Sequence, residues 1–204
     1  MRAALPVALA LTTLMVFGAV AGRAAQTPSV RIRGTIEAIA GDTVTILTKT
    51  GEHKPVTLTP DTRIGALRAL ALADIKAGDF IGTAAVKQPD GHLRALEVTV
   101  FPEALRGTGE GQRPWDQGPD SSMTNATVAE VAEAASGHTL KLQYKGGEAI
   151  VDVTPDAPVV TPIPGDRSLL IVGKAIVASA LLNADGSLTA RYVSVEKDGV
   201  KPPG

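Results

Sequence analysis

From Val30 the chain alternates: Val30, Ile32, Ile36 and Ala38 share one side, and Arg31, Arg33, Thr35 and Glu37 the other. Period-two alternation of this kind predicts a half-buried strand over 30–38. Gly34 falls on the inner side, where a barrel strand can bend sharply. After the Gly41-Asp42 turn, Thr43–Thr48 is rich in β-branched residues and predicts a second strand. A Thr50-Gly51-Glu52 turn leads to a third strand ending at Pro60-Asp61, with Val56 and Leu58 inward. Residues 66–76 are mostly Leu and Ala, strong helix formers, and predict a helix stopped by Gly78. Leu67, Leu70 and Ile75 on that helix would plug one end of a barrel. Two further strands, Asp79–Lys87 and Leu93–Phe101, flank Pro89-Asp90-Gly91, a hairpin turn in which Gly supplies the positive φ.

This hairpin occurs twice. Gly78 recurs as Gly173, Asp90 as Asp185, Gly91 as Gly186, Val98 as Val193 and Val100 as Val195, a constant spacing of 95 residues. The rest of the unit recurs around it. Ala126–Val131 follows the pattern of Gly34–Ile39, His138–Tyr144 and Ala149–Val153 stand for the second and third strands, and Thr154-Pro155-Asp156 repeats Thr59-Pro60-Asp61. The insert before the second hairpin is degenerate, with one turn expected near Asp166 as cap. Strand, strand, strand, helix, strand, strand is the connectivity of an OB-type Greek-key barrel, whose closure removes exposed sheet edges. An open sheet covered by the helix is the alternative. The expected fold is therefore all-β: two tandem five-stranded OB-like barrels over residues 26–101 and 124–197, the first carrying a short helix between its third and fourth strands. A tail over 198–204 is expected to fray.

Between the units, residues 102–123 are rich in Gly, Pro and polar residues and read as a linker. It holds the single Trp of the chain, Trp115. A bulky apolar ring left in solvent forfeits its burial, so Trp115 is expected to dock on a barrel and order the middle of the linker.

Composition adds the compartment. Arg2 followed by an uncharged apolar run from Leu5 to Val20 and small residues at Ala19–Ala25 has the form of a secretory signal peptide, with cleavage between Ala21 and Gln26. The run approaches the ~18 residues that span a bilayer, so an uncleaved anchor is its other reading. With no Cys there are no disulfides, thiolate metal sites or Cys nucleophiles. Export without disulfides fits a bacterial periplasm. Removing residues 1–25 takes away Arg2 and Arg23 and no acid, leaving 18 basic against 21 acidic side chains and a net charge of −3. With aromatics at 3%, that charge argues against nucleic acid as a partner, since such binding uses basic surfaces and stacking rings.

Candidate chemistry is sparse. His53, His92 and His138 fall at or beside turns, without a ligand at metal-site spacing. Gly107-Thr108-Gly109-Glu110-Gly111 lacks the following helix and the Gly-Lys-Ser/Thr of a phosphate loop. Asp61 and Asp156 suit turns, and Asp166-Arg167 a cap or local ion pair. No catalytic residue, metal site or cofactor is expected. The candidate binding residues are Arg113, Trp115 and Asp116 from the linker and Asp166 and Arg167 from the second unit, meeting at the seam between the barrels.

The order Gly-Thr-Ile/Val, the Gly lead into the fourth strand and Asp-Gly-x-Leu into the fifth resemble an exported bacterial domain of unknown function with an OB-like barrel. Arg113–Asp116, Met123–Val128 and Pro164–Leu170 resemble a tandem version of that family. The resemblance implies a periplasmic protein without catalytic residues to carry over. A permease role, sometimes attached to similar sequences, is at odds with the lack of a second long apolar run. The expected function is a non-enzymatic binding or scaffolding protein whose partner is a protein or a small ligand, with no membrane contact after signal cleavage. The alternative is binding of a small solute or metal ion at the seam, with His92, His138 or carboxylates as ligands.

Overall fold

The computed structural model describes residues 28–203; the signal-peptide expectation at 1–25 lies outside them. The described chain is all-β, with no α-helix and with thirteen strands connected through one network of backbone pairing. In order they are β1 (Ser29–Ala40), β2 (Thr43–Thr48), β3 (His53–Thr57), β4 (Arg63–Leu70), β5 (Phe80–Lys87), β6 (Leu93–Val100), β7 (Gly111–Pro114), β8 (Ser121–Ala134), β9 (Gly137–Tyr144), β10 (Gly147–Val153), β11 (Val159–Pro164), β12 (Ala175–Leu182) and β13 (Leu188–Val195).

The local predictions of hairpins follow their turn chemistry. Gly91 and Gly186 have φ of 91° and 82°. Asp90 and Asp185 each accept a hydrogen bond from the backbone N–H two residues on, at 3.0 and 2.9 Å. The two hairpins, β5–β6 and β12–β13, even share a bulge at the same place, after the Ala84–Glu97 and Ser179–Tyr192 pairs.

The long-range pairing departs from the tandem expectation. The triple β1–β2–β3 does not close on its own hairpin: β1 pairs antiparallel with β12, and β3 pairs parallel with β13. The triple β8–β9–β10 is closed by β5 and β6 in the same manner. Each ring thus takes three strands from one half of the chain and the hairpin of the other half. The cores follow suit. Ile32, Ile36, Val44, Ile46 and Val56 pack with Ile176, Ala178, Val193 and Val195, while Ile81, Ala85, Ala95 and Val98 pack with Val128, Leu140, Leu142, Val151 and Val153.

The cause lies in the segment expected to be helical. Residues 63–70 form strand β4, followed only by a single 3-10 turn at Leu72–Asp74. An extended strand of eight residues carries the chain about 26 Å at ~3.3 Å per residue, away from its own triple. Helix propensity favours a helix by only tenths of a kcal/mol per residue. β4 instead gains two hydrogen-bonded neighbours, β11 antiparallel and β13 parallel. The expected plug survives in part, since Ile75 is 3% exposed and packs with Leu70 and Leu72 on the core of the β5–β6–β8–β9–β10 ring. Leu170, 95 residues after Ile75, packs on the other core.

β4 and β11 form the bridge between the rings, and Leu67 pairs with Pro162, its own counterpart 95 residues later. Adding 95 to one partner and subtracting it from the other converts Ile64–Val193 into Val159–Val98, and Thr57–Thr189 into Asp152–Arg94. These relations are those of an approximate twofold axis through Leu67 and Pro162. The tail of the chain, expected to fray, turns at Asp198-Gly199 and returns Pro202 to a buried position.

Candidate functional site: a cleft at the seam

The bridge cannot fill the space between two rings, and a cleft of about 840 Å³ opens there. Leu67 and Pro162 lie beside the axis. One wall comes from β1 and the β12–β13 hairpin, with Arg31, Arg33, Val177 and Tyr192. The opposite wall comes from β5, β6 and β8, with Gly82, Glu97, Thr99, Met123 and Asn125. The segment after β6 contributes Phe101 and Leu105, and the tail adds Pro202 and Pro203. The volume falls within the ~300–1,000 Å³ of small-molecule sites, and the lining has their chemistry, mainly apolar and aromatic with a few polar groups.

Two glycines make room for the rings. A Cβ on Gly65 would lie 2.9 Å from both the Ile163 carbonyl oxygen and the Tyr192 hydroxyl. One on Gly82 would lie 2.7 Å from Asn125 Oδ1 and 2.9 Å from Phe101 Cε2. The bare backbone therefore lets Tyr192 and Phe101 approach the cleft floor, and each position has a reason to be glycine that is independent of turns.

Trp115 docks as expected, and the linker is ordered around it. β7 pairs with β8, the Trp115 N–H donates to the Ser121 carbonyl at 2.9 Å, and Ser121 Oγ donates to the Trp115 carbonyl at 3.0 Å. The indole carries the Arg31 guanidinium 4.2 Å from its centroid and that of Arg113 at 5.6 Å, both within cation–π range. Asp116 accepts two hydrogen bonds from Arg33, at 2.8 and 2.9 Å, and lies 3.9 Å from Arg31. This bidentate pair ties the linker to β1. It holds the Asp116 carboxyl below its ordinary range, while burial and the neighbouring Arg33 push Arg31 down. A second depression, of about 630 Å³, shares Arg113 and Trp115 on the outer side toward Glu148 and Ile150.

Glu97 is the other unusual group. Burial pushes its carboxyl up to about 7, against the pull of the Thr99 hydroxyl, which donates to it at 3.3 Å. Tyr192 occupies the equivalent place in the other ring, with its phenol also pushed up by burial. The symmetry is broken elsewhere as well. Arg31 and Arg33, opposite Ser179 and Val177, correspond to Met123 and Asn125, opposite Ala84 and Gly82. β1 therefore presents cations where β8 presents a thioether and an amide. Arg33 Nε, Asn125 Oδ1 and Trp115 Nε1 are buried without a hydrogen-bond partner.

Of the residues singled out in the sequence, Arg113, Trp115 and Asp116 come together at the seam. Asp166 and Arg167 do not join them. Asp166 caps a 3-10 turn by accepting from the Ser168 N–H at 2.7 Å, and Arg167 pairs with Asp42 in the β1–β2 turn. No histidine lines the cleft. His53 pairs with Glu37 at 2.6 Å, and His92 with Asp152 at 2.9 Å, a contact that raises the His92 pKa. Among the described residues no group of three or more His, Asp or Glu is placed to hold a metal. The Gly107–Gly111 loop turns carbonyls inward, Thr108 accepting from Asn125 and Gly109 from Arg113, which does not make an anion cradle. Sequence reasoning missed Arg31 and Arg33, whose alternation put them on the outer side of β1. It also missed Glu97 and Tyr192, which reach the cleft only because the hairpins are exchanged.

Residues 33–99 match the family described as Domain of unknown function (DUF5666). The match runs from β1 into β6 and covers the triple of one ring together with the hairpin of the other. No curated protein and no solved structure matches the chain.

Proposed function

We propose that this is an exported, non-enzymatic binding protein that holds a small solute in the cleft between two OB-like barrels. The carrying observation is the cleft itself, a space of about 840 Å³ bounded by Phe101, Trp115 and Tyr192 and placed on the axis relating the rings. The ring order β1–β2–β3–β13–β12 supports the OB-like reading: a three-stranded meander, a parallel pairing of the third strand with the fifth, and an antiparallel pairing of the first with the fourth. The second ring, β8–β9–β10–β6–β5, has the same order. In this reading the chain is a tandem repeat, and export to the periplasm follows from the N-terminal segment.

The non-enzymatic part rests on the company Glu97 keeps. Its side-chain hydrogen bond comes from Thr99, and its raised pKa traces to burial, opposed by that hydroxyl, with no second carboxylate or base acting on it. A single carboxyl without a nucleophile or partner base does not assemble an acid–base pair.

The test uses phenylnaphthylamine, an uncharged fluorophore. It should brighten on addition of the folded protein, saturate at one equivalent and quench Trp115 emission. Unchanged fluorescence of both at protein concentrations up to the solubility limit would remove the cleft as a binding site.

A further inference from the structure

Given that the cleft binds a solute, we infer that the solute is an amphipathic anion, an apolar body ending in a single negative head. The inference rests on the reading above and goes further by naming the ligand chemistry. Four arginines line the cleft, Arg31, Arg33, Arg63 and Arg113. Only one nearby carboxylate answers them, Asp116, and its two oxygens are both taken by Arg33. Arg63 and Arg113 make no ion pair among the described residues, and Arg31 reaches Asp116 only at 3.9 Å. Asp116 itself lies outside the lining, and Glu97, the acid within it, sits with Thr99 on the wall opposite β1.

The surplus is held in place. Arg31 and Arg113 are fixed against Trp115, and Arg113 is further tied to the Gly109 carbonyl at 2.9 Å. Like charges gathered this closely repel one another: burial lowers the Arg31 pKa first, and Arg33 and Arg113 lower it further. An anionic head would relieve that repulsion through charge-assisted hydrogen bonds. Beyond the arginines and a few polar groups such as Thr99 and Asn125, the lining is mainly apolar, with Leu67, Phe101, Leu105, Val177 and Ile163. A small hydrophilic anion would leave that surface wet. A neutral apolar solute would leave the arginines unanswered. A chain or ring system with one carboxylate satisfies both.

Competition against phenylnaphthylamine, below micelle-forming concentrations, separates the possibilities. Dodecanoate, dodecanol and dodecyltrimethylammonium share one tail and differ in head charge. Dodecanoate is expected to displace the fluorophore at about tenfold lower concentration than dodecanol, the size of one charge-assisted contact, with dodecyltrimethylammonium weakest. Arg31→Met, which installs the residue found at the symmetry-related Met123, should abolish most of that preference. Arg63→Gln serves as an independent second variant, and retained phenylnaphthylamine binding shows that each is folded. Dodecanol equal to or better than dodecanoate, with the fluorophore bound normally, would overturn the anionic assignment and leave the cleft standing. Failure of the fluorophore itself to bind would overturn both.

Discussion

Glu97 shows how one buried side chain can set a pH profile. Its carboxyl titrates near 7 in the folded protein because burial disfavours the charge, against an ordinary value of 4.5. Between those values the folded state binds more protons than the unfolded one, so stability falls as pH rises. Below 4.5 both states are protonated and the group is neutral to folding. Above 7 both are ionised and the penalty is constant. At ~1.4 kcal/mol per pKa unit the full loss is about 3 kcal/mol. Chemical denaturation from pH 4 to 9 should show the decline concentrated in that window. Glu97→Gln, which cannot ionise, should flatten it and be the more stable protein at pH 8; an unchanged slope would show that Glu97 is solvated. The His92–Asp152 pair also favours the lower pH, since its raised pKa adds stability that is lost as pH rises through the folded value. A Glu97→Gln comparison isolates the carboxyl because both proteins keep that pair.

Strand β4 is the element on which local and global preferences disagree. Its sequence, Arg63-Ile64-Gly65-Ala66-Leu67-Arg68-Ala69-Leu70, is good helix material after Gly65, yet it is hydrogen-bonded on both edges as a strand. Ala69 is exposed and lies opposite Val160 on β11. Ala69→Val should therefore leave the protein as stable or raise its stability by up to about 1 kcal/mol, since β-branched residues suit a strand and pair well across it. In a helix the same change would lower stability by about half that. The sign of the shift in denaturation midpoint distinguishes the two. Much else at this scale was legible. Alternation marked β1, and Asp90-Gly91 and Asp185-Gly186 marked the hairpins, because these signals are local. The strand β7 was hidden by its composition, Gly-Gln-Arg-Pro, which reads as linker and becomes a strand only against β8. Trp115 could be placed on a barrel by its apolar area alone. The strand arginines that meet the linker, Arg31 at Trp115 and Arg33 at Asp116, could not, since an outward arginine on a strand looks the same whether solvent or a linker covers it.

At the scale of the molecule, the likeness of the two hairpins concealed the pairing. Ile81 and Ile176, or Val98 and Val193, are near-equivalent core residues, so either hairpin fits either triple, and only the course of β4 and β11 decides between closing at home and crossing over. Crossing makes the halves interdependent. A chain of two self-contained barrels, cut between them, would yield two folded pieces able to part. The exchanged chain would not, because each ring loses two of its five strands when the halves separate. The segment Pro102–Glu110 between β6 and β7 is exposed and suits the cut. With a protease recognition sequence inserted between Arg106 and Gly107, the nicked protein should elute as one species of unchanged size and keep a single unfolding transition. Mixed with nicked protein carrying a different fluorescent label, it should exchange halves only as fast as it unfolds globally, since both rings must open first. Exchange within seconds of mixing, or two separately eluting folded fragments, would mean that each hairpin closes on its own triple. The cleft, lined by Arg31 and Glu97 from before the cut and by Asn125, Val177 and Tyr192 from after it, would then come apart with the halves.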